Sequence, residues 1–224
     1  MALNLIMLGP PGAGKGTQAD QIARAHGIPK ISTGDILREA IHSGTEMGKL
    51  AAAIVARGEL VSDDVVVGIV RERLNRKDVR DGFILDGFPR TVAQAAALDE
   101  IVKGRAPLVI VEIAVPDADI VRRLSMRMVC ESCGAILDAA AARASAKCRQ
   151  CGGKLVQRSD DNDTVVLERL KVYHQQTQPL VEYYQTRPTF RSVNGSQAPH
   201  RVTADLMAAI ESAGGGVGAK GAQR

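Results

Sequence analysis

The sequence contains no tryptophan and only three phenylalanines and three tyrosines, so aromatics make up 3% of its 224 residues. Platforms that stack single-stranded nucleic acid are built from aromatic rings, and this composition argues against one. Long apolar runs are also missing. Residues 3–8 are apolar, but the stretch is too short for a membrane span or a signal-peptide core, lacks a basic leader and stops at Gly9. It reads as a buried strand, and a soluble cytoplasmic chain is expected. Neither sign of charge dominates: 29 Lys and Arg against 25 Asp and Glu leave +4, which suits anionic ligands but does not mark a duplex-binding surface. No internal repeat is visible. Hydrophobic residues at 45% and charged residues at 24% are ordinary for a globular chain and exclude disorder throughout. The length suits one compact domain with smaller insertions.

The order of segments indicates an α/β fold with a parallel sheet flanked by helices. An apolar strand at 3–8 is followed by a glycine-rich stretch, a helix over residues 15–26 closed by Gly27, and a short strand at 28–31, which is the start of a βαβ unit. Residues 32–61 read as small and helical, with breaks at Ser32–Gly34 and Ser43–Thr45. Ser62 before Asp63 and Asp64 marks a helix start, the acids suiting the positive end of the helix. Further buried strands fall at 83–86 and 108–115. Residues 126–161 read as an insertion with paired cysteines and little apolar content. Helix returns over 161–186, a strand at 190–193 and a helix at 204–212. The glycine-rich remainder, 213–224, reads as a flexible tail.

Gly9-Pro-Pro-Gly12-Ala13-Gly14-Lys15-Gly16-Thr17 lies between the first strand and the first helix. This is a phosphate-binding loop: backbone N–H groups and a helix N-terminus converge on phosphate oxygens, and the lysine pairs with the terminal phosphates. The hydroxyl that commonly follows the lysine and ligates Mg²⁺ arrives one place late, at Thr17. Asp86, ending a buried strand beside the loop, is an outer-shell partner for hydrated Mg²⁺.

Several separated motifs together resemble the adenylate kinase family over residues 1–212. They are GPPGAGKGT at 9–17, the segment Ile31 to Arg38, Asp86-Gly87-Phe88-Pro89-Arg90 with Gln94, and the spacing of Arg123, Arg127, Arg158, Asp160, Asp161 and Arg169. The resemblance implies a fold of P-loop NTPase type. It divides the chain into a core (1–31, 62–125, 162–212), an AMP-binding domain (32–61), a lid (126–161) and a tail (213–224). It implies transfer of a phosphoryl group from ATP to AMP, giving two ADP, by a monomer that binds neither nucleic acid nor membrane. In it, Arg38 and Arg90 hold the AMP phosphate, and Thr33, Glu59, Leu60, Val61, Gly87, Phe88, Pro89 and Gln94 surround the rest of AMP. Arg127 reaches ATP, as do Gly12 to Thr17, Ile136, Leu137 and Gln197. Arg158 and Arg169 bridge the two phosphates, with Arg123 close by. The chemistry agrees, since phosphoryl transfer needs alignment and positive charge around the equatorial oxygens, and arginine forks supply both. Gln94 offers an adenine edge both a donor and an acceptor. No general base is needed, because the AMP phosphate is already an anion.

Cys130-x2-Cys133 and Cys148-x2-Cys151 have the spacing of a structural zinc ribbon, with Gly134 and Gly152 easing the two turns. Disulfides or free thiols are the alternatives, the former disfavoured in an intracellular chain. The insertion has little apolar content, so a metal would replace a core there. Two other functions stay open: a kinase for UMP or CMP, and a zinc-ribbon nucleic-acid module joined to a nucleotide switch. The long insertion and Gln94 count against the first. The lack of aromatics over 126–161 counts against the second.

Overall fold

A computed structural model describes residues 2–137 and 147–215. Five strands form the central sheet: β1 (Leu3–Leu8), β2 (Lys30–Ser32), β3 (Gly82–Asp86), β4 (Leu108–Ala114) and β8 (Phe190–Asn194). Every pairing in it is parallel, and the order across it is β2–β3–β1–β4–β8. Both faces are covered, which is why β1 is apolar throughout but for Asn4, whose side chain donates to Ala106 O at 2.7 Å. Leu5 and Met7 enter one apolar layer, while Ile6 and Leu8 enter the other. In β4 the same alternation sends Val109, Val111 and Ile113 one way and Leu108 and Ile110 the other.

The first layer is completed by α1 (Lys15–His26), α6 (Asp117–Ser125), α7 (Asp163–Val172) and α9 (Pro199–Gly215), through residues such as Ile22, Leu124, Leu170 and Leu206. The second is completed by α4 (Asp63–Leu74), α5 (Val92–Ile101) and α8 (Pro179–Gln185), through Val70, Leu98 and Tyr184. The chain leaves β1 toward β2 on one side of the sheet and leaves β3 toward β4 on the other, so its direction reverses between β1 and β3. The crevice at the carboxyl end of β1 is where open α/β sheets bind ligands.

Two insertions overhang that crevice. The first is α2 (Thr33–His42) and α3 (Glu46–Ala56). Each starts on a side-chain cap: Ser32 Oγ accepts from Asp35 N at 3.2 Å, and Thr45 Oγ1 accepts from Gly48 N at 3.1 Å. The second is a three-stranded antiparallel sheet of β5 (Met128–Cys130), β6 (Ile136–Leu137) and β7 (Leu155–Val156), in the order β6–β5–β7.

Three readings of the sequence need correction. The second strand lies at Lys30–Ser32 and not at 28–31. The helix expected over 161–186 is divided: α7 ends at Val172, a wide π turn covers Tyr173–Thr177, and α8 starts at Pro179. Proline has no N–H and its ring crowds the carbonyl four residues back, so the ladder widens before it, with Gln178 N reaching Tyr173 O at 2.8 Å. The last helix begins at Pro199 and ends at Gly215, so the tail does not begin at Ala213. Ala213 is 1% exposed and continues the buried stripe of Val202, Leu206 and Ile210. The rest of the expected tail, 216–224, and the alanine-rich stretch 138–145 lie outside the described residues.

Candidate active site

The crevice opens into a cavity of about 900 Å³. Its floor is the loop after β1 and the first turn of α1, where Gly12, Ala13, Gly14, Lys15, Gly16 and Thr17 all line it. Lys15 Nζ donates to the carbonyls of Gly9 at 2.7 Å and Pro10 at 2.8 Å, which holds the ammonium against the loop. Burial lowers its pKa from 10.5 to about 8; Asp86 opposes the shift, and Arg90, Arg169 and Arg127 add to it. A Cβ on Gly16 would stand 3.2 Å from Asp86 Oδ2. The place after the lysine is thus pressed against the carboxylate that ends β3, and the hydroxyl falls instead on Thr17.

The loop after β3 forms the next wall. Arg90 is held at three points. Its N–H donates to Gln94 Oε1 at 2.7 Å, its Nε donates to Gly87 O at 2.8 Å, and its carbonyl accepts from Thr177 Oγ1 at 2.8 Å. Thr33 Oγ1 donates to the same Gly87 oxygen at 2.8 Å, joining α2 to this loop. Burial lowers the Arg90 pKa to about 10, with Arg169 lowering it further and Asp86 opposing. Pro89 follows a cis peptide bond and lines the cavity. Phe88 does not line it; its side chain is fully buried in the second core layer. On the side of the helical insertion stand Arg38, Glu59, Leu60 and Val61. Arg38 pairs with Asp35, and Glu59 pairs at the surface with Arg57 through two 2.8 Å bonds.

Four more arginines close the remaining side. Arg127 meets Asp161 through two bonds of 2.7 and 2.5 Å, and Arg169 Nη1 lies 3.1 Å from Asp161 Oδ1 and from Asp160 Oδ2. Among the described residues the Arg158 side chain makes no hydrogen bond or ion pair. Its pKa falls to about 10, chiefly through burial and then through Arg38 and Arg127, with Asp160 and Asp161 opposing. Arg123 Nη2 donates to Gly195 O at 2.7 Å and joins α6 to the loop after β8. Ile136 and Leu137 line the far end with Gln197, whose Nε2 donates to Asn194 O at 3.1 Å and Asp205 Oδ2 at 2.7 Å.

The four cysteine sulfurs lie within 4.8 Å of one another. Cys130 and Cys151 are 3.5 Å apart and Cys133 and Cys148 are 3.6 Å apart, too far for disulfides. Four thiolates around zinc at about 2.3 Å would stand about 3.8 Å apart, so the cluster fits a tetrahedral ion. The two turns repeat one pattern. Gly134 N reaches Cys130 O at 3.0 Å, and Gly152 N reaches Cys148 O at 2.8 Å. Gly134 and Gly152 have φ of 71° and 74°, a conformation glycine adopts without strain. Gln150 N points at Cys148 Sγ from 3.4 Å. Gly134, next to Cys133, also lines the large cavity, so the cysteine cluster and the cavity share a wall.

Asp63 and Thr177 were not legible as site residues. Asp63 Oδ1 accepts from Gln94 Nε2 at 2.7 Å, although its place beside Ser62 signals only a helix start. Thr177 reaches Arg90 from the π turn, 87 positions away in the chain. Nothing local announces either contact.

Comparison with known proteins agrees with this geometry. The family model described as adenylate kinase matches residues 7–189. An adenylate kinase of Archaeoglobus fulgidus is 48% identical over 213 residues, covering 93% of this chain and 98% of its own length. That of Thermodesulfovibrio yellowstonii is 45% identical over 213 residues (93% and 99%), and that of Bacillus thuringiensis is 48% identical over 208 residues (91% and 96%). With a phosphate loop, an arginine-lined cleft and matches over nearly its whole length, this chain belongs to the adenylate kinase family.

Proposed function

We propose that the chain catalyses reversible phosphoryl transfer from ATP to AMP, yielding two ADP. The observation that carries this reading is one cavity holding both the Lys15 loop and the ring of Arg38, Arg90, Arg127, Arg158 and Arg169. Two polyphosphates need that much positive charge in one cleft. Lys15 and the N–H groups of Gly12 to Thr17 hold ATP phosphates, with Arg123 and Arg127 beside them and Ile136, Leu137 and Gln197 at its adenosine end. Arg38 and Arg90 hold the AMP phosphate, with Thr33, Glu59, Leu60, Val61, Gly87, Pro89 and Gln94 around the nucleoside. Phe88 supports that wall from the core. Arg158 and Arg169 span donor and acceptor phosphates. Arg158, with its guanidinium uncommitted, is the group freest to move onto the transferred phosphoryl.

Two metals accompany this reading. Cys130, Cys133, Cys148 and Cys151 hold a structural Zn²⁺ that keeps the second insertion in shape. Asp86 and Thr17 offer the hard oxygens suited to Mg²⁺, which enters with ATP and neutralises phosphate charge. The chain acts as a cytoplasmic monomer; no helix among the described residues is long and apolar enough to cross a membrane. The test is ADP formation from ATP with AMP, UMP, CMP or GMP. AMP is expected to be strongly preferred, and preference for another acceptor would overturn the reading.

A further inference from the structure

Gln94 is 1% exposed, yet it lies on the cavity wall. Two of its hydrogen-bonding positions are already taken. Oε1 accepts from the Arg90 backbone N–H and Nε2 donates to Asp63 Oδ1, both at 2.7 Å. A peptide N–H only donates and a carboxylate only accepts. Both partners therefore demand the same orientation of the amide. Turning it over would set N–H against N–H and oxygen against oxygen. One N–H and one oxygen lone pair remain for a ligand, each at a fixed place.

Asp63 is itself held. Its Oδ2 accepts from Thr91 Oγ1 at 2.8 Å, and Thr91 Oγ1 caps α5 by accepting from Gln94 N at 3.1 Å. The ring Asp63–Thr91–Gln94 thus ties the first residue of α4 to the first turn of α5. Asp64, next along α4, is exposed, and among the described residues its side chain makes no hydrogen bond or ion pair. Both acids suit a helix N-terminus, but only Asp63 reaches Gln94 on the cavity wall.

We propose that Asp63 is a positioning residue that sets base specificity: it locks the Gln94 amide so that the acceptor site takes a 6-aminopurine monophosphate and rejects its 6-oxo analogue. This rests on reading that part of the cavity as the AMP site. Adenine offers a donor at N6 and an acceptor at N1, and hypoxanthine offers the reverse. A locked amide matches one of these patterns; an amide free to turn over matches either. A buried polar group left unmatched is what makes such rejection steep.

The test is kcat/KM for AMP and for IMP, with ATP as donor, in the parent chain, Asp63→Asn and Asp64→Asn. An asparagine amide in place of the Asp63 carboxylate can donate as well as accept, so it no longer dictates the orientation of Gln94 and the Arg90 N–H is left as the one partner that does. The expected result is a fall of about tenfold in the AMP-over-IMP preference for Asp63→Asn, borne by KM with kcat for AMP nearly unchanged. Asp64→Asn removes the same charge from the same turn and should leave the preference as it is. A parent-like preference in Asp63→Asn overturns the proposal and leaves the AMP site standing. No preference for AMP over IMP in the parent chain overturns the AMP site itself. Thermal melts accompany each variant, and Asp63→Ser carries the same comparison if Asp63→Asn does not fold.

Discussion

Arg127 and Asp161 form a forked pair, Nε to Oδ2 at 2.7 Å and Nη2 to Oδ1 at 2.5 Å, and the carboxylate of Asp161 is wholly shielded from solvent. Arg169 shares Oδ1 of the same group. One buried carboxylate thus holds two of the arginines that line the cavity. Removing it would strip Arg127 of this carboxylate and leave Arg169 with Asp160 alone. Asp161→Ala should lower stability by about 3–5 kcal/mol, the usual result of breaking a buried pair by deleting one partner. Urea unfolding of the parent and variant measures this. An unchanged midpoint would mean that water or Asp160 takes over the pairing.

Lys15 predicts a pH effect with a definite sign. Burial brings its pKa down to about 8, so above that pH the ligand-free chain holds a neutral amine there. Bound triphosphate favours the ammonium, so ATP binding should take up a proton, increasingly so as pH rises from about 7 to 9. Calorimetry in buffers of different ionisation heat reads this directly. Affinity for ATP should weaken above about pH 8, and Lys15→Met should abolish the uptake along with most turnover. The same depressed pKa bears on folding. Between about 8 and 10.5 the unfolded chain holds more protons at Lys15 than the folded one, so this residue's contribution to stability grows as pH rises through that window.

Zinc removal should act on stability far more than on chemistry. Among the described residues the cysteine cluster reaches the cavity through its neighbour Gly134, and four sulfur ligands would leave zinc no open position. One zinc per chain is expected by elemental analysis. A chelator strong enough to strip it should lower the melting temperature, while kcat measured well below that melt stays within about threefold. A chain that binds no zinc after refolding in its presence would contradict the assignment.

The phosphate loop was legible because its chemistry is local: glycines, a lysine and a helix start fall in one short stretch between strand and helix. The strands β1 and β4 were legible for a similar reason, each being one short apolar run, although which residues enter which layer was not. What the sequence concealed depends on partners far along the chain. Asp63 reads as a helix-start acid, and only the packing of α4 beside α5 brings it to Gln94. Thr177 meets Arg90 because Pro179 forces a wide turn that no apolar period reveals. Ala213 sits in a glycine-rich stretch that reads as loose, yet the apolar layer beneath α9 captures it. Phe88 stands inside a ligand-binding motif but its ring serves the core.

The two cysteine turns are each closed by their own backbone bonds, within residues 130–135 and 148–153. They also touch: a Cβ on Gly153 would come within 2.9 Å of Cys130 Sγ and 2.5 Å of Ser132 Oγ. Sequence drift is therefore constrained inside these turns. Even a methyl group at Gly153 in one turn would displace a cysteine sulfur of the other.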